Sequence, residues 1–190
     1  MIGLTGAIGM GKSETAKLFA AEGVPVFDAD AAIHDLYSGE AASAVEAAFP
    51  GSTRNGAVDR AALARQVTGD PKALARLEQL MHPLVARRQA EFLARSDAPI
   101  VVLDTPLLLE TGIQVDAVVV TTAPQELQRQ RVLARPGMTE AKFAALSARQ
   151  LNDAQKRAQA DYLVMTDKGL EDARAQVKMI LADIRTKIGA

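Results

Sequence analysis

The sequence predicts an α/β fold in which a parallel sheet is flanked by helices. Two observations lead there. Short apolar runs recur along the chain, each followed by polar or glycine residues and then by a stretch of helical pattern, and the first of these junctions is a glycine-rich turn ending in Lys-Ser. Alternation of strand and helix implies a parallel sheet covered by helices.

The elements follow in order. Residues 2–5, 24–27, 100–103 and 117–121 read as strands, and a fifth run at 162–165 precedes a closing helix. In that helix Leu170, Ala173, Val177, Ile180, Leu181, Ile184 and Ile188 recur at three- and four-residue spacing, which describes one apolar stripe. Between Asp30 and Asp97 no strand pattern is evident. The composition there is helical, interrupted at Pro50-Gly51 and at Gly69-Asp70-Pro71, and reads as a helical insertion. Between Pro124 and Gln159 two further helical stretches, rich in Arg and Gln, flank Pro136-Gly137 and have the character of a mobile lid. The expected division is a core of residues 1–30, 97–123 and 158–190, an insertion of 31–96 and a lid of 124–157.

The first junction carries the chemistry. Gly6-Ala7-Ile8-Gly9-Met10-Gly11-Lys12-Ser13 matches G-x-x-x-x-G-K-[ST], placed directly after a strand and directly before a helix. Glycines let backbone N–H groups turn inward around phosphate oxygens, and the following helix presents its positive end to them. Lys12 then reaches the β- and γ-phosphates of ATP while the Ser13 hydroxyl takes one position on Mg²⁺. The fold expectation is thereby narrowed to a P-loop NTPase type. The bland alternative is a strand-to-helix turn that binds nothing.

Ligands of an open parallel sheet lie beyond the carboxyl ends of its strands. Asp28 and Asp30 follow one strand run, and Asp104 with Thr105 follows another. Phosphoryl transfer needs a carboxylate near the acceptor hydroxyl and often another at the metal. Each aspartate alone also suits a helix N-cap or a turn. Converging on one sheet edge, Asp30 and Asp104 are functional candidates. An aspartate with an ordinary pKa near 3.9 is a weak base, so it mainly orients the hydroxyl.

Composition excludes several classes. There is no cysteine, hence no disulfide or thiolate metal site, and two histidines are too few for a structural zinc. A formal net charge of −1 lacks the positive field of a general nucleic-acid binder. No apolar run approaches the roughly 20 residues of a membrane span, and no charged leader precedes the first strand. The expectation is a soluble cytoplasmic protein, monomeric or a small homo-oligomer.

Beyond the glycine-rich turn, Val26-Phe27-Asp28-Ala29-Asp30, His82-Pro83-Leu84-Val85, Leu103-Asp104-Thr105-Pro106-Leu107-Leu108-Leu109-Glu110 and Ala160-Asp161-Tyr162 occur in an order and spacing that resemble the dephospho-coenzyme A kinases. The likeness spans nearly the whole chain. It implies an ATP- and Mg²⁺-dependent enzyme that phosphorylates the ribose 3′-hydroxyl of dephospho-coenzyme A, built from a nucleotide-binding core, a helical substrate domain and a lid. It implies Asp30 as acceptor-side base, Lys12 and Ser13 as phosphate and magnesium groups, and Gly6 through Ser13 as the ATP loop. His82, Pro83, Asp104, Pro106 and Leu107 fall on the substrate side, with Arg135 as a lid arginine reaching ATP and Arg149 as a second. The chain departs from the pattern at Ala7, Met10 and His34, and lacks an asparagine after Tyr162.

Without the resemblance, His82 reads as a pre-proline turn residue, and Arg135 as a cation favouring a helix C-terminus. The rival enzyme is a nucleoside or nucleoside monophosphate kinase on the same plan. A nucleotide switch such as a small GTPase is a rival of another class, although no N-K-x-D element for guanine is present.

Overall fold

The run at the amino end is buried at all four positions, and a strand buried on both faces requires neighbours on either side and helices above and below. The computed structural model, which describes residues 1–189, meets that requirement. In chain order, β1 (Ile2–Thr5), α1 (Lys12–Ala21) and β2 (Val26–Asp28) lead into α2 (Ala29–Tyr37), α3 (Ala42–Ala48), β3 (Thr53–Arg54), β4 (Ala57–Val58), α4 (Arg60–Val67) and α5 (Pro71–Ala94). Then come β5 (Val102–Asp104), α6 (Leu108–Thr111), β6 (Ala117–Thr122), α7 (Gln125–Leu133), α8 (Glu140–Ser147), α9 (Asp153–Arg157), β7 (Tyr162–Met165) and α10 (Leu170–Ile188).

The chain divides into two compact units, one of Met1–Phe27 with the residues from Asp97 onward, the other Asp28–Ser96. In the first, a five-stranded sheet has the order β2-β5-β1-β6-β7. β1 pairs in parallel with β5 and β6, and β6 with β7. Parallel pairing sends the carboxyl ends of these strands to one edge, which is why the turns after β1, β5, β6 and β7 share a side of the sheet. Ile2, Leu4, Val102, Val119 and Val164 of the strands pack with Phe19 of α1 and with Ala173, Val177, Ile180, Leu181 and Ile184 of α10. Leu170 and Ile188, expected in the stripe of that last helix, are instead exposed by half or more of their surface. They are its first and last residues, where the stripe outruns its packed span.

The second unit has its own core, in which Leu36, Val45, Phe49, Leu63, Leu77 and Met81 meet. Aspartates start three of its helices, Asp28 at α2, Asp59 at α4 and Asp70 at α5. Asp59 Oδ1 accepts from the Ala61 and Ala62 amides at 3.0 Å, and Asp70 Oδ1 from those of Lys72 and Ala73. Such caps satisfy donors that the first helical turn leaves unpaired.

Two expectations for this segment are corrected. A short antiparallel hairpin joins Thr53 to Val58 and Arg54 to Ala57, where no strand was expected. Its turn is Asn55-Gly56, both at positive φ, the dipeptide that favours a two-residue hairpin; strands of two residues are too short to show alternation. His82-Pro83 is not a turn either, but lies inside the 24-residue α5. There Pro83 removes one backbone donor and its ring crowds the preceding turn, a defect that the long helix absorbs.

Candidate active site at the strand ends

Gly6 through Ser13 form the turn from β1 into α1. Gly11 takes φ 87° at the N-cap of α1, a left-handed conformation that side chains disfavour. Gly9, at φ 82°, would bring a Cβ within 2.5 Å of Val132 Cγ2, because α7 lies against it. The loop therefore curls tightly and opens the amino end of α1, whose unpaired N–H groups suit an anion.

Lys12 begins α1, and its Nζ lies 2.6 Å from Oδ1 of Asp104, the last residue of β5. Both side chains are largely enclosed, at 12% and 3% exposure. Register explains the meeting: Leu4 is opposite Asp104 in the sheet, so the carboxylate arises beside the loop that follows Thr5. Ser13 is exposed in the first turn of α1. The Met10 side chain is buried with Ala7, Ala123 and Leu127, and its sulfur accepts from the Ala123 amide.

The loop is braced from several sides. Gln128 Nε2 donates to the Ile8 carbonyl at 2.8 Å, while the Ile8 N–H donates to Gln150 Oε1 at 3.1 Å. Arg131 donates through both terminal nitrogens to the hydroxyl and carbonyl of Thr166, and that hydroxyl donates to the Met10 carbonyl. A cavity of about 660 Å³ adjoins the loop, with Met10, Gln128, Phe143, Gln150 and Asp153 among its walls.

The remaining candidates occupy distinct positions. Pro106 and Leu107 follow Asp104 in the half-buried approach to α6, and the Pro106 carbonyl accepts from the Thr5 hydroxyl at 2.9 Å. Arg135 is exposed in the turn after α7, and Arg149 is exposed after α8. In the other unit, Asp28 caps α2 by accepting from the Ala31 amide at 2.9 Å, and Asp30 is exposed in the first turn of that helix. His82 and Pro83 lie exposed on α5. Within the first unit the structure brings together the loop, Lys12 and Asp104.

Sequence reasoning passed over Gln128, Arg131, Gln150, Lys156 and Thr166. Gln128 and Arg131 lie on α7 and Lys156 on α9, helices with the look of a solvated face, while Gln150 precedes α9 and Thr166 follows β7; only contacts made in the fold turn these side chains inward. No described helix is long and apolar enough to cross a membrane.

The profile of the dephospho-CoA kinase family matches residues 1–172. A dephospho-CoA kinase from Bradyrhizobium diazoefficiens is 57% identical, over 97% of this chain and 95% of its own. One from Mesorhizobium japonicum is 56% identical, over 100% and 99%. Among solved structures, TT1252 from Thermus thermophilus superposes with a TM-score of 0.84 at 36% identity, over 96% of each chain. The shikimate kinase of Acinetobacter baumannii shares the fold at 19% identity, with a TM-score of 0.53 over 98% of this chain and 93% of its own.

Proposed function

The chain belongs to the dephospho-CoA kinase family, and from that premise we propose that it transfers the γ-phosphoryl group of ATP to the ribose 3′-hydroxyl of dephospho-coenzyme A. The products are coenzyme A and ADP, the last step of coenzyme A synthesis. The observation that carries this reading is the 2.6 Å pair of Lys12 and Asp104 at the mouth of the phosphate loop. A lysine oriented by one carboxylate at the amino end of a helix has two further donors for phosphate oxygens.

The roles are those that the motif resemblance implies. Backbone amides of residues 6–13, apart from those of Ile8 and Met10 that brace the loop on Gln150 and Ala7, grip the β- and γ-phosphates, and Lys12 neutralises charge that spreads over the γ-oxygens during transfer. Asp30 faces the incoming hydroxyl, orients it and accepts its proton as the new P–O bond forms and the bond to ADP breaks. Positioning and charge neutralisation supply most of the acceleration, since an aspartate is a weak base. Asp104, Pro106 and Leu107 form the acceptor-side rim, and the helical segment 31–96, with His82 and Pro83, carries the rest of the acceptor.

The residues present fit Mg²⁺ delivered with ATP. Ser13 offers an exposed hydroxyl beside Lys12, and no group of three His, Cys, Asp or Glu suited to an all-protein metal cage occurs among the described residues. Mg²⁺ favours few protein ligands, with phosphate and water completing its shell, and supplies further charge neutralisation when bound. Residues 124–157 act as the lid, with α7 and α9 as its anchored ends and Arg135 and Arg149 closing on the phosphates to exclude water. The reaction belongs to the cytoplasm, in a monomer or small homo-oligomer.

Purified protein incubated with ATP, Mg²⁺ and dephospho-coenzyme A tests the proposal, by ADP release and by the mass of the product. Phosphorylation of nucleosides or nucleoside monophosphates in place of dephospho-coenzyme A would favour the rival kinase. Asp30→Asn should lower kcat by about 10²-fold or more with ATP affinity unchanged.

A further inference from the structure

Among the described residues Lys156 is the one buried lysine or arginine, at 0% exposure. Its Nζ lies 2.8 Å from Oε1 of Glu110 and 3.0 Å from the Pro106 carbonyl, with the Thr5 hydroxyl oxygen at 3.3 Å. An ammonium has three donors, so all three are engaged. Glu110 lies on the short helix α6 and directs its side chain, 17% exposed, inward. Its Oε1 also accepts from the Leu151 amide at 2.7 Å.

Stability is a poor reason for such a pair. A buried ion pair does little better than well-packed apolar side chains of the same volume, although removing one partner alone is strongly destabilising. The partners suggest a different use. Thr5 directly precedes the phosphate loop, Pro106 lies two residues after Asp104, and Leu151 adjoins Gln150, which holds Ile8. The pair therefore ties together Thr5 before the phosphate loop, the segment that follows Asp104 and, through Glu110, the segment that braces the phosphate turn.

Resting on the kinase reading above, we propose that Lys156 and Glu110 are positioning residues for phosphoryl transfer: their buried pair sets the spacing between the phosphate loop and the acceptor-side rim after β5. Neither touches substrate. Their contribution is to keep Lys12 and Asp104 at the separation that transfer requires, where a displacement of about 1 Å lowers the rate by about 10²-fold.

The test is the double variant Lys156→Met with Glu110→Leu, which replaces the pair by apolar side chains, measured beside Glu110→Gln. For each, kcat is determined per folded molecule below its own melting temperature, together with KM for ATP. The expected result for the double variant is a melting temperature near that of the native protein, a kcat lower by tenfold or more, and a KM for ATP within threefold. A purely structural role would reduce the folded fraction and leave kcat per folded molecule unchanged; a loss below tenfold overturns the proposal. Should the double variant fail to fold, Glu110→Gln is judged by the same tenfold criterion. A native protein that binds ATP yet leaves dephospho-coenzyme A untouched would defeat the functional proposal instead, and ATP hydrolysis by the same variants would still read the pair.

Discussion

Lys12 Nζ and Asp104 Oδ1 lie 2.6 Å apart, joining the start of α1 to the end of β5, enclosed where the phosphate loop enters the helix. The pair holds the lysine amine at the strand-end carboxylate, and it joins two sequence motifs 92 residues apart. Lys12→Met should abolish turnover while the circular dichroism spectrum stays that of the native fold. Asp104→Asn should retain ATP binding and lose about 10²-fold in kcat, because one charged partner that orients Lys12 is gone. Nucleotide-binding titration beside steady-state kinetics separates the two.

Two arginines on either side of the end of α7 should behave differently. Arg131 makes two hydrogen bonds to Thr166, at 2.8 and 2.6 Å, so Arg131→Ala should destabilise the fold by about 1–3 kcal/mol through loss of charge-assisted bonds. Arg135 is exposed, so Arg135→Ala should leave stability within about 0.5 kcal/mol. Its kcat with ATP should nevertheless fall by at least tenfold if it closes over the phosphates. Urea unfolding and kinetics on both variants check this contrast. Unchanged ATP affinity and turnover in Arg135→Ala would leave helix capping as its role.

Gln150 satisfies the Ile8 amide from outside the loop at 3.1 Å. Gln150→Leu removes the acceptor and keeps much of the volume, so the loop should lose about 1 kcal/mol of pre-organisation, the worth of one neutral hydrogen bond. ATP affinity should fall roughly fivefold, as 1.4 kcal/mol corresponds to tenfold. Isothermal titration with a non-hydrolysable ATP analogue measures it.

The second unit should respond to acid. Hydrogen bonds from the Ala62 and Ala61 amides, the former the stronger influence, hold Asp59 below its ordinary 3.8 despite an opposing desolvation effect. Glu46 is held below 4.5, first by the Thr53 hydroxyl and then by the Gly51 amide. A carboxyl whose folded pKa is depressed stabilises the fold above its unfolded pKa and loses that contribution as pH falls through the folded value. Asp59→Asn keeps an N-cap acceptor but cannot titrate. The stability difference between native protein and variant, from urea midpoints, should therefore be largest near pH 7 and shrink at pH 3.

The amino-acid sequence by itself determined the elements whose signals are local. The strand-turn-helix around Gly6 through Ser13 is legible because glycine spacing and the terminal Lys-Ser leave few other uses for that turn. The alternation of apolar runs with helical stretches dictates a parallel sheet, and α10 shows its stripe at helical period. The family resemblance added the kinase chemistry and its acceptor, since spacing alone speaks only of phosphate.

Only the tertiary structure decided what depends on distant partners. It showed His82-Pro83 inside a helix, a hairpin too short for a period to register, and an apolar stripe that stops short of both ends of α10. Above all it decided which polar side chains turn inward. Lys156 lies between Gln155 and Arg157 and has the composition of a wet helix face. Its burial comes from Glu110, Pro106 and Thr5, the last of them 151 positions away. Local sequence sets backbone propensity through forces that act over a few residues, whereas the burial of a charge is set by groups that the fold alone brings within 3 Å or so, and no short window of sequence contains them.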